Sequence, residues 1–145
     1  MLFCDIDLLD ADFAIKHHQW VGVRDGRIAY IGSVPPAPDE AATFGEIYDG
    51  TGRLLMPALY NAHAPMTLLR GYAENLPLQR WLEEKCFPFE AKMTAEDCYW
   101  GTVLACAEMA RFGVVSFSDM YYATEERARA VLEAGMKANM CEGLV

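Results

Sequence analysis

Residues 55–63 read Leu55-Met56-Pro57-Ala58-Leu59-Tyr60-Asn61-Ala62-His63, an apolar run that turns polar only at its last positions. Strands covered on both faces lose the alternation of half-buried ones, so the part from Pro57 to His63 reads as a buried strand with Asn61 and His63 at its C-terminal end. The period of the sequence changes at Met56. Residues 1–55 are short-period and β-like, residues 56–145 are not, and the domain boundary is placed between them.

Downstream, Thr94-Ala95-Glu96-Asp97 has the form of a helix N-terminal capping box, with Trp100, Leu104, Ala107 and Arg111 following at helical spacing and Gly113 as a stop. Val114-Val115-Ser116-Phe117-Ser118 is β-branched and aromatic, which predicts a strand with Asp119 at its end. Thr124 is placed as the cap of a second helix through Val131-Leu132 to Gly135, and Ala138-Asn139-Met140-Cys141 as a third strand. Strands alternating with helices predict a parallel α/β architecture. Upstream, Trp20-Val21-Gly22-Val23 and Arg27-Ile28-Ala29-Tyr30-Ile31-Gly32 flank Asp25-Gly26, the signature of a hairpin. The prolines at 35, 36 and 38 predict a surface connection, and Ile47-Tyr48-Asp49 and Leu54-Leu55-Met56 two further short strands around Gly50-Thr51-Gly52.

With 145 residues, 53% of them apolar, the chain is long enough for a core. Its 12 basic and 21 acidic residues give a net charge of −9 without a basic stripe, which argues against nucleic acid or an anionic membrane as partner. The five cysteines form no CxxC pair and no disulfide framework, and the acidic start is unlike a signal peptide. The expected location is the cytoplasm.

The 55–63 stretch resembles the first barrel strand of amidohydrolases, and the motifs downstream of it sharpen the resemblance. Met66-Thr67-Leu68-Leu69-Arg70-Gly71, Leu76-Pro77-Leu78 with Trp81-Leu82, Phe87-Pro88-Phe89-Glu90-Ala91-Lys92, and Ser118-Asp119-Met120-Tyr121 are similar to the methylthioadenosine/S-adenosylhomocysteine deaminase and chlorohydrolase branch of that superfamily. The resemblance implies an α/β fold of the TIM-barrel type, preceded by a small β-sandwich segment matched only loosely by residues 1–55. It implies a divalent metal, zinc or iron, that lowers the pKa of bound water for attack on a ring carbon bearing an amino or halide group. It implies a small nucleoside-like heterocycle as substrate, Trp81 and Glu90 as substrate-binding residues with Glu90 accepting from ribose hydroxyls, and His63 as a metal ligand. Simple helix packing is an equal reading of Trp81, because Leu78, Trp81 and Leu82 share helical spacing.

The sequence departs from that pattern in two ways. The first strand of the family ends His-x-His, a spacing that puts both imidazoles on one side of a strand. Here His63 is followed by Ala64-Pro65-Met66, as though two residues were missing, and Ala58 stands where a glycine is expected. A full barrel needs about 250 residues, so the strands after Met56 stop near the third. One imidazole is short of the three protein ligands of a catalytic zinc site. His17-His18 are neighbours expected on opposite faces of a strand in another segment, hence ordinary surface residues. Asp119 is as well placed for capping as for catalysis, Arg70-Gly71 for a loop over the site or a surface crossing, and no catalytic residue is assigned. The expectation is a fragment of a metal-dependent hydrolase, inactive alone and prone to self-association through open sheet edges. The alternative is a non-catalytic remnant acting in binding or assembly.

Overall fold

The computed structural model describes residues 1–65 and 71–143. Residues 66–70, which carry one of the family-like motifs, lie outside the described residues. The chain divides into two compact units, Met1–Pro57 and Ala58–Val145.

The first unit is a five-stranded mixed sheet built around β1 (Leu2–Leu9). β1 pairs antiparallel with β2 (Ile15–Arg24) and parallel with β4 (Ile47–Asp49) and β5 (Leu54–Leu55), while β3 (Arg27–Gly32) pairs with β2. The predicted hairpin is β2–β3, turned by Asp25 at φ 51° and Gly26 at φ 70°, the two left-handed residues that a tight hairpin turn requires. The prolines bring more than a connection, because Pro38 opens the short helix α1 (Pro38–Ala42), where its fixed φ suits the first helical position. Leu2, Ile6, Val21 and Phe44 are buried. Gly22 is required by this packing, since a Cβ there would come within 2.5 Å of the Phe44 ring.

His17 and His18 do not diverge as neighbours on a regular strand would. His18 has φ 55° and Asp5 φ 53°, the β1–β2 register shifts around Ile6, and both imidazoles reach acids of β1. His17 Nδ1 lies 3.0 Å from Asp7 Oδ2 and His18 Nδ1 2.6 Å from Asp5 Oδ1. A bulge interrupts the side-chain alternation on which the expectation rested.

The second unit is α/β. Its sheet is three parallel strands in the order β6 (Leu59–Asn61), β7 (Val114–Tyr121), β8 (Lys137–Glu142). Between β6 and β7 run α2 (Leu78–Trp81), a π-helical turn (Leu82–Cys86), α3 (Phe87–Glu90) and α4 (Ala95–Arg111), and α5 (Thr124–Glu133) joins β7 to β8. Parallel strands need such crossovers. The core gathers Cys106 and Met109 of α4, Phe117 of β7, Val131 of α5 and Ala64. Burial there pushes the Cys106 thiol up to about 11, so it remains a neutral, apolar packing group.

The structure departs from three further expectations. The strand at 57–63 is neither long nor buried: β6 has three residues, with Leu59 50% and Tyr60 55% exposed, because it is an edge strand with β7 as its only partner among the described residues. The helix α4 forms as the spacing predicts, and its facing, which the spacing left open, puts Trp100, Leu104, Ala107 and Arg111 outside and Cys98, Thr102, Cys106 and Met109 inside. Asp119 lies inside β7 rather than at its end, since the strand runs on to Tyr121. Thr124 does not cap α5 but is its first residue. The N-cap is Ala123, in the left-handed region at φ 53°.

Candidate functional site

His63 follows β6 by two residues, at the end of the sheet where the strands finish. Its backbone N–H donates to Asn61 Oδ1 at 3.3 Å, and the next N–H, of Ala64, donates to the Ser118 carbonyl at 2.8 Å. The chain thus continues alongside β7 past the end of β6, and the Tyr60 hydroxyl meets the Ser118 hydroxyl on the same stretch. The side chain of His63 is exposed.

Glu90 ends α3 and reaches β7, where its Oε1 accepts from the Tyr121 hydroxyl at 2.7 Å. Tyr121 is the last residue of β7 and is buried. Burial first, then the bond to Glu90 and its charge, push the phenol well above its ordinary value, so it stays a donor at every working pH. Glu90 lines a cavity of about 380 Å³ together with Phe87, Thr94, Cys98 and Tyr122. Trp81 lies elsewhere: it lines a hollow of about 290 Å³ with Glu74, Leu76 and Leu78, and its indole N–H donates to the Tyr72 carbonyl at 3.1 Å. The two residues expected to share a substrate pocket therefore line separate hollows, and His63 lines neither.

The residue that sequence reasoning missed is Arg127. Phe117, Asp119 and Tyr121 project from one face of β7 by the two-residue period of a strand, and on that face Arg127 of α5 is fully buried and paired with Asp119 Oδ2. Its other nitrogens donate to the carbonyls of Tyr122 (2.7 Å), Tyr121 (2.7 Å) and Cys141 (3.1 Å) and to Thr124 Oγ1 (3.0 Å). One guanidinium thereby ties the ends of β7 and β8 to the start of α5. In sequence it sits in Thr124-Glu125-Glu126-Arg127, which looks like the charged first turn of a surface helix. The one available signal was an opposite charge, Asp119, just across the turn.

The donor set does not fit a complete metal centre. Among the described residues, no three His, Cys, Asp or Glu side chains converge as metal ligands would. His63 offers one imidazole, where a catalytic zinc needs about three protein ligands.

Side chains gathered near the C-terminal ends of parallel strands are the arrangement by which α/β proteins carry ligands. The chain belongs to the amidohydrolase family, whose family model matches residues 54–141. It is 45% identical over 125 residues to the 5-methylthioadenosine/S-adenosylhomocysteine deaminase of Desulforamulus reducens, a match covering 85% of this chain and 29% of that protein. It is 52% identical over 101 residues to the 5′-deoxyadenosine deaminase of Methanospirillum hungatei, covering 68% of this chain and 22% of that one. The chain thus spans less than a third of either relative. The fold matches atrazine chlorohydrolase from Arthrobacter aurescens, a structure complexed with zinc, at TM-score 0.81 and 13% identity over 97% of this chain and 35% of that one. It also matches guanine deaminase from C. acetobutylicum with bound guanine, at TM-score 0.77 and 21% identity over 96% of this chain and 35% of that one.

Proposed function

We propose that these residues form the N-terminal part of a hydrolytic deaminase acting on a nucleoside-like aminated heterocycle, and that they do not catalyse the reaction by themselves. Residues 1–55 give the small β-sandwich segment, and residues 56–145 the first three strands of a (β/α) barrel. The observation that carries this reading is the parallel set β6-β7-β8 with His63 and Glu90 gathered toward the ends of its strands. Identity to deaminases over most of the chain supports it.

Hydrolytic deamination adds water to a ring carbon, breaks the exocyclic carbon–nitrogen bond and releases ammonia. In this reading Glu90 accepts hydrogen bonds from sugar hydroxyls, and Trp81, from its separate hollow, offers an aromatic surface to another part of the substrate. His63 is the position of one metal ligand, the others coming from chain outside these residues or from a second chain. The lack of a second histidine, where two residues of the family pattern are missing between His63 and Ala64, favours the other reading, a remnant that binds or assembles without reacting.

The test is binding without turnover. Adenosine added to the zinc-supplemented chain is expected to shift the NMR resonances of Glu90 and Tyr121 while no inosine forms. Inosine formed by the chain alone contradicts its incompleteness, and unperturbed resonances at Glu90 and Tyr121 contradict the nucleoside site.

A further inference from the structure

The Tyr121–Glu90 bond gives the second unit a rigid donor behind a carboxylate that would otherwise be held loosely. α3 is the last turn of an unbroken helical run from Leu78 to Glu90, and a helix fixes the backbone of its final residue but not the rotamers of a long side chain such as that of Glu90. Tyr121, by contrast, is anchored on all sides. It pairs with Glu142 of β8, its carbonyl accepts from Arg127 and from the Gly143 N–H, and its ring packs 5.1 Å from that of Tyr122. Glu90 is the only carboxylate among the described residues on the wall of its cavity, which also carries the aromatic rings of Phe87 and Tyr122. A carboxylate has about four acceptor sites, so a single bond from Tyr121 orients it and leaves capacity for a ligand.

We propose that Tyr121 is a positioning residue: its hydroxyl fixes the Glu90 carboxylate on the cavity wall so that it accepts from the vicinal hydroxyls of a nucleoside-like ligand. This rests on the reading of Glu90 as a substrate-binding residue. Tyr121 does not touch the ligand. Its protonated state, secured by burial, makes the orientation independent of pH across the neutral range.

The experiment compares adenosine with 2′,3′-dideoxyadenosine, which lacks both hydroxyls, by NMR titration of the 145-residue chain. Hydrogen bonds to a charged acceptor predict a preference for adenosine of about tenfold. Tyr121→Phe, with its fold checked by circular dichroism, is expected to abolish that preference while leaving dideoxyadenosine binding unchanged, and Glu90→Gln to do the same. A purely structural role would weaken both ligands alike. If Tyr121→Phe keeps the preference and Glu90→Gln loses it, the positioning role is overturned and the reading of Glu90 stands. If the unaltered chain binds neither nucleoside or shows no preference, the reading of Glu90 falls and the inference with it. Should Tyr121→Phe fail to fold, Glu90→Asp keeps the charge but withdraws it from the Tyr121 hydroxyl. Loss of the preference there supports the proposal, and its retention overturns it.

Discussion

Five acceptors, from β7, the turn that follows it, α5 and β8, converge on the Arg127 guanidinium and tie those elements together. Arg127→Met removes the countercharge of a fully buried carboxylate and is expected to cost about 3–5 kcal/mol in urea denaturation. Adding Asp119→Leu should recover part of that loss, since a buried ion pair is more costly to break than to replace. Lysine is no substitute, as a point charge cannot reach acceptors spread around a planar fork. At the surface, the balance differs. The hydrogen bond from His18 to Asp5, followed by the Coulombic attraction, raises the His18 pKa above 6.5, and the same hydrogen bond, followed by the one from Thr51, lowers that of Asp5 below 3.8. The pair therefore contributes most between those two values. It weakens as pH rises through the folded pKa of His18, and again as pH falls through the folded pKa of Asp5. An NMR titration should show His18 titrating above 6.5 in the native chain and moving back toward that value in Asp5→Asn.

The elements were legible where local chemistry dictates them. The capping box of α4 forms as spelled, with Asp97 N–H donating to Thr94 Oγ1 at 3.2 Å and Thr94 N–H donating to Asp97 Oδ2 at 2.8 Å. Thr94→Ala should cost about 1 kcal/mol in chemical denaturation. The Asp25-Gly26 hairpin, the Gly113 stop and the strands β7 and β8 were equally readable, because each rests on residues close in sequence. The exposure of β6 was not, since burial depends on what lies across the sheet and not on the strand's own apolar residues. Which stripe of α4 faces inward was hidden for a similar reason: its inner face is built from cysteine, threonine and methionine, and its outer face carries Trp100 and Leu104. At the candidate site, His63 and Glu90 were visible as motif positions. The Tyr121–Glu90 bond was not, because it joins residues 31 apart across the whole of α4, a contact that no local pattern announces. Tight packing within an element is testable too, since Gly22→Ala would drive a Cβ into Phe44 and should cost about 1–3 kcal/mol.

For the whole molecule, the three parallel strands of the second unit end in two edges, β6 and β8, among the described residues. Edges of that kind invite pairing with another chain. Self-association is the expected behaviour, measured as mass above 16.2 kDa by sedimentation at increasing concentration; a cooperatively melting monomer at all concentrations would count against it. The same edges are where further barrel strands would join if the chain is part of a larger hydrolase, which makes association and incompleteness two consequences of one geometry. The most direct measurement of that incompleteness is ammonia release from 5-methylthioadenosine with zinc present. The assay would be run on the chain alone and on a mixture with a polypeptide carrying the remainder of the Desulforamulus reducens deaminase. No ammonia is predicted from the chain alone, and ammonia is predicted from the mixture once two residues, the second a histidine, are inserted between His63 and Ala64 to restore the His-x-His spacing. Ammonia from the chain alone, or none from the mixture with the insertion, would contradict the account.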